Sequence, residues 1–281
     1  MRRRRRSGIE ILGDEELLLM RRAGLVVARA LQEMTSAVRP GMTTAEVDAI
    51  AVEVLAREGA KSSFLGYEPG YGVPPYPNVT CLSVNDEVVH GIPSQRVLQD
   101  GDLLSIDFGA IVEGYHGDAA RSVGVGELEP LVSRLNAATR DSLWAGIAAA
   151  KLGNRIGDIS AAIESSLRRA GRYGIVREYT GHGIGHSMHQ PPDIPNVGRA
   201  KQGPIIERGM CLAIEPMATL GRHHVQTRED QWTVATVDGS TGSHWENTIT
   251  LTKQGWWVLT ELDGGEAALG KLGLPFGPLS D

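Results

Sequence analysis

The chain has 281 residues, 41% of them hydrophobic and 22% charged, which is enough apolar material for one large mixed domain or two small ones. Two cysteines, Cys81 and Cys211, exclude a disulfide framework and a cysteine zinc cluster, and they fit a reducing compartment. The net charge is −6 although five cations sit in Arg2–Arg6, so the body is acidic and argues against specific nucleic-acid binding.

In chain order, residues 1–13 read as a basic, disordered N-terminal tail. Acids follow the arginines where a signal peptide needs an apolar run. Residues 14–34 predict a helix from apolar side chains recurring at three and four, and a second helix runs from about Thr44 to Arg57, with Thr43 or Thr44 as cap and Gly59 beyond its end. Residues 66–77 hold four Pro and three Gly and predict a loop. Strands are expected at 79–84, 102–108 and from about Tyr115, helices at 129–150 and 157–170, and strands at 210–215, 232–237 and 246–260. Residues 262–281 hold five Gly and two Pro and read as a flexible C-terminal tail. No apolar run approaches the ~20 residues of a membrane helix.

The chain repeats itself. Gly41 to Gly59 and Gly153 to Gly171 span equal lengths, and Glu46, Val47 and Leu55 match Asp158, Ile159 and Leu167 at a common offset of 112. Gly101–Asp107 matches Gly209–Glu215 at an offset of 108, so each half ends a buried strand on an acid. Two α+β halves, about 14–128 and 129–261, therefore have the means to share one site where they meet.

Asp107 closes the apolar stretch Leu103–Ile106, where a carboxylate is costly unless paired or bound to a cation. Glu113-Gly114 predicts a tight hairpin turn; it sets Val112 opposite Tyr115, Gly109 opposite Asp118 and Asp107 opposite Ala120. Asp107 and Asp118 then share one face as diagonal neighbours, and a cation between them relieves their repulsion. Residues 181–189 carry His182, His186 and His189 among three glycines, a pattern unlike core packing; spacing alone leaves open which of them binds. Glu215 ends a strand before Pro216, and Glu246 opens the alternating stretch to Thr252. Four strand-borne carboxylates and an imidazole suit two divalent cations. Such a pair, about 3.5–4 Å apart, activates water and polarises a carbonyl, which points to metal-assisted hydrolysis.

These residues also carry a resemblance. Val88-Val89-His90-Gly91-Ile92-Pro93, Ser105-Ile106-Asp107, Tyr115-His116-Gly117-Asp118, Gly181-His182-Gly183-Ile184-Gly185, Ile214-Glu215-Pro216 and Glu246-Asn247-Thr248 stand in the order found in type I methionine aminopeptidases. The likeness covers about residues 14–260. It implies the α+β pita-bread fold with two pseudo-symmetric halves around a dinuclear metal site, in a single catalytic domain over 14–261. It implies two divalent metal cations (Co, Mn, Fe, Zn or Ni) held by Asp107, Asp118, His182, Glu215 and Glu246. Glu215 doubles as proton shuttle, and His90 and His189 contact substrate. Cys81, Trp232, Tyr67 and Tyr76 are the candidates for the methionine pocket. The implied activity is removal of the initiator methionine from nascent polypeptide N-termini when the second residue is small, by a cytoplasmic monomer near the ribosome with no membrane attachment. This chain departs from the family's pattern in a longer 67–76 loop, in Met188 where an aromatic is common and in Asn247 where His is frequent. The rival readings are a prolidase or proline aminopeptidase of the same fold, and a non-catalytic homologue that binds ribosomes or RNA.

Overall fold

The computed structural model describes residues 8–70 and 72–279. The first half runs α1 (Asp14–Ala37), α2 (Thr44–Glu58), β1 (Lys61–Ser62), β2 (Thr80–Val84), β3 (Glu87–Val89), β4 (Leu103–Val112) and β5 (Tyr115–Gly124). The second begins with α3 (Pro130–Ala149) and α4 (Ile156–Ala170), then β6 (Gly174–Ile175), β7 (Gly181–Gly183), β8 (Gln190–Ile194), β9 (Cys211–Ile214) and β10 (Met217–Thr219). It closes with β11 (Val225–Thr227), β12 (Val234–Thr236), β13 (Gly242–His244), β14 (Asn247–Leu251), β15 (Trp256–Val258) and α5 (Glu266–Lys271).

The repeat is structural. α2 and α4 begin and end 112 residues apart, and each N-terminus is closed by an acid reaching back to a backbone N–H. Glu46 accepts from Thr43 at 2.7 Å and Asp158 from Arg155 at 2.8 Å. Each helix pair covers its own sheet. Val27, Leu31, Val47 and Val54 pack on Ile106 and Phe108, while Leu143, Ile147, Ile159 and Ile163 pack on Leu212 and Ile214. At about 1.5–3 kcal/mol for each fully buried aliphatic side chain, these two layers hold the helices in place.

β4 and β5 form the expected hairpin, with Val112 opposite Tyr115, Gly109 opposite Asp118 and Asp107 opposite Ala120. Glu113 and Gly114 both take positive φ, as a two-residue turn of the twisted hairpin requires. In the other half β9 pairs with β14, Ile214 opposite Asn247, so Glu215 and Glu246 sit one step beyond the last pair. The halves are stitched at that point. Glu246 N donates to Ala120 O at 3.0 Å, and Thr248 Oγ1 donates to Asp118 O at 2.7 Å. Arg121 reaches across to Asn247 Oδ1 and Glu261 at 2.8 Å each.

Three expectations are corrected. Residues 8–13 are not a loose tail: Ile9 and Leu12 are buried and Leu12 N bonds Gly209 O at 2.8 Å. Residues 1–7, with the arginine run, lie outside the described residues. The segment after 261 is packed through residue 279. Leu269 is buried in α5, Trp256 N bonds Pro275 O at 3.0 Å, and Thr252 Oγ1 bonds Gly277 O at 2.7 Å. The stretch 246–260 is two antiparallel strands rather than one, because Thr252 Oγ1 accepts from Gln254 N at 3.1 Å and turns the chain at Gly255.

Candidate active site

All eleven residues singled out by sequence line one cavity of about 360 Å³ between the halves. Asp107 lies inside β4 and Asp118 inside β5; Glu215 follows β9, Glu246 precedes β14, and His182 is the middle residue of β7. Donor atoms of Asp118, His182 and Glu246 all lie within 4.8 Å of one another. Glu215 stands between two imidazoles, its Oε1 3.5 Å from His182 Nε2 and its Oε2 3.5 Å from His244 Nε2.

The electrostatics of this floor call for a cation. Asp107 Oδ1, Asp118 Oδ1 and Glu246 Oε1 are buried without any hydrogen-bond partner, a costly state for carboxylate oxygens. Burial first, and then neighbouring carboxylate charge, pushes Asp107, Glu215 and Glu246 well above the ordinary range. Burial raises Asp118 to about 7. His182 is driven down to about 3 by burial, with His189 adding to the effect, so its ring is neutral and free to ligate. Its Nδ1 lies 3.1 Å from Gly183 O, a partner that only accepts; the proton therefore sits on Nδ1 and the Nε2 lone pair faces the acids. Oxygen donors with one imidazole match hard to borderline divalent ions.

Above the floor the walls are apolar. Phe64, Tyr76, Cys81, Met188 and Trp232 form one buried cluster, with Tyr67 packed on it. Cys81 lies on β2 directly opposite Asp107, and burial keeps its thiol protonated, which makes it a soft wall rather than a nucleophile. Trp232 is held in a turn, not a strand: Asp230 Oδ1 accepts from Trp232 N and Thr233 N at 2.9 and 2.8 Å, and Trp232 Nε1 donates to Pro74 O at 3.0 Å. That last bond ties the 66–77 loop to the cavity wall.

His90 follows β3 in the left-handed region, with φ +60°, and its ring stands edge-on to Tyr179 at 5.3 Å. His189 is at the rim. Tyr67 Oη lies 3.0 Å from His189 Nδ1, and the ring is 4.5 Å from that of His182. Among the cavity residues that sequence did not single out are Tyr179 and His244. A periodicity or motif argument has no handle on Tyr179, which lies between strands. His244 stands two residues before Glu246, so a strand reading of Ser243–Glu246 would have set both on one face.

Two layered halves sharing a buried carboxylate–histidine floor define a metallohydrolase of the pita-bread type. The chain belongs to metallopeptidase family M24, whose profile matches residues 18–253. It is 49% identical over 251 residues to methionine aminopeptidase 1 of Mycobacterium tuberculosis, covering 87% of this chain and 92% of that one. Identity to the methionine aminopeptidase of Clostridium acetobutylicum is 44% over 253 residues, covering 90% and 98%. A crystal structure of methionine aminopeptidase from Thermotoga maritima superposes with a TM-score of 0.85 at 40% identity, covering 90% of this chain and 99% of that one. Prolidase from Pyrococcus furiosus shares the fold at a TM-score of 0.70 and 21% identity, and this chain covers 65% of it. Among the described residues no helix is long and apolar enough to cross a membrane.

Proposed function

We propose that this protein hydrolyses the first peptide bond of chains that begin with methionine and carry a small second residue, and that nascent polypeptides are its substrates. The observation that carries the reading is the pairing of a cation-demanding floor with an apolar, sulfur-lined wall in one cavity. Asp107, Asp118, His182, Glu215 and Glu246 would hold two divalent cations, which when bound polarise the scissile carbonyl and activate water.

The chain's own groups do the rest. Cys81, Met188, Tyr76 and Trp232 take the unbranched thioether of methionine, a soft side chain that packs well on sulfur and aromatic edges. Glu215, between His182 and His244 at the cavity floor, accepts a proton from the attacking water and returns it to the leaving amine. With Tyr67 donating to its Nδ1, His189 presents Nε2–H to the oxygen that gains charge. His90, made neutral by burial, offers a second donor in the same cavity.

The proline-peptidase reading draws support only from the shared fold. A Met-X-Ser panel, with X from Gly and Ala to Leu, Lys and Trp, separates the readings when run beside Leu-, Lys- and Pro-initiated peptides. Fast release of Met only before Gly, Ala or Ser is expected. Equal rates across X, or Leu, Lys or Pro released as fast as Met, would overturn it.

A further inference from the structure

We propose that His244 is a positioning residue for Glu215: its Nε2–H holds Oε2 and thereby aims Oε1 toward His182 and the carboxylate cluster. The inference rests on the role given to Glu215 above.

His244 is 2% exposed, yet neither ring nitrogen has a hydrogen-bond partner within the protein. A buried imidazole with both nitrogens unmatched is costly, so its orientation needs a reason. Its backbone leaves little freedom. His244 pairs with Met217 across β10 and β13; Ser122 Oγ accepts from His244 N at 2.9 Å and donates to His244 O at 2.8 Å. The ring is thereby held against the cavity floor, with Nε2 3.5 Å from Glu215 Oε2. A shift of a few tenths of an ångström completes a hydrogen bond.

The other imidazole at Glu215 cannot serve. His182 spends its single proton on Gly183 O, and its Nε2 faces Glu215 Oε1 with a lone pair. His244 is therefore the imidazole left to donate. A donor on Oε2 makes the two oxygens unequal: Oε2 is held by His244, and Oε1 is left facing His182 and the cluster. It also fixes the carboxylate plane, which a proton shuttle must keep through both halves of the reaction.

Two variants and one spectrum test this. His244→Phe keeps the ring volume and removes the donor; its kcat on Met-Ala-Ser should fall by about 10- to 100-fold, the usual weight of a hydrogen bond to a charged group. KM should stay within about twofold and bound metal at the wild-type level, as expected when only a transition-state interaction is lost. His244→Gln, whose amide nitrogen reaches where Nε2 stood, should recover most of kcat. Long-range 1H–15N spectra of the zinc-loaded wild-type protein should show His244 with its proton on Nε2. Unchanged kcat in His244→Phe, equal damage in Gln and Phe, loss of metal together with rate, or a proton on Nδ1 would each overturn the proposal. Should the wild-type protein release no methionine, the activity reading fails while the spectrum still decides the tautomer.

Discussion

Removing metal should make this protein sensitive to pH in a direction opposite to ordinary acid denaturation, and Asp118 supplies one share of that effect. Burial lifts its carboxyl from the usual 3.8 to about 7, so between those values the folded protein holds a proton that the unfolded chain has released. This group's stabilising share is complete below the unfolded value and is lost as pH rises through the folded one. The full loss is about 4 kcal/mol, at 1.36 kcal/mol for each tenfold change in proton affinity. At about 2.1 cal/mol/K per residue, unfolding 281 residues carries about 0.6 kcal/mol/K, which converts that loss to about 7 °C in Tm. Asp118→Asn removes the charge and keeps the shape. After chelation the variant should melt about 7 °C above wild type at pH 8 and only about 2–3 °C above it at pH 5. Saturating manganese or cobalt should reverse the order, because wild type gains the binding energy. The assay is scanning calorimetry on chelated and reloaded protein. Equal Tm values at pH 8, or a gap that does not change with pH, would refute the burial argument for this carboxylate cluster.

Other consequences are as direct. His182→Ala or Asp107→Asn should abolish hydrolysis of Met-Ala-Ser and lower metal content by elemental analysis, since both side chains face the cluster floor; full activity in metal-saturated protein would contradict their roles. His189→Ala should lower kcat by about 100-fold while metal content holds, because the ring sits at the rim beside Tyr67. Gly24→Ala should lower Tm by several degrees in thermal melts: a Cβ there would stand 2.1 Å from Leu259 O, where α1 packs against the chain beyond β15. Glu10→Ala should lower kcat more than it alters KM and speed hydrogen exchange in residues 182–190. Glu10 accepts from His186 N at 3.2 Å and Gln190 Nε2 at 3.1 Å and meets His186 Nδ1 at 2.8 Å, so it braces the loop that carries His189.

What could be read from sequence, and what could not, follows the range of the forces involved. Asp107 and Asp118 were legible because a carboxylate in an apolar strand breaks a local rule, and the Glu113-Gly114 turn fixed their register before any tertiary contact was known. The α2 and α4 boundaries were legible because caps and apolar spacing are local too. The termini were misread for the converse reason. Residues 8–13 and 262–279 have the composition of tails, and their order comes from partners far along the chain: Glu10 from His186, Leu12 from Gly209, Gly277 from Trp256. His244 shows the same limit inside the site. Its neighbours in sequence give an ordinary strand, and only the pairing of β13 with β10, which follows Glu215, brings its Nε2 to that carboxylate. A residue that orients a catalytic group rather than joining it lacks the local anomaly that marks an acid in a core strand. It becomes visible as an unmatched donor beside a carboxylate with an oxygen to fill, and three-dimensional accounting of buried polar atoms finds such residues where motifs do not.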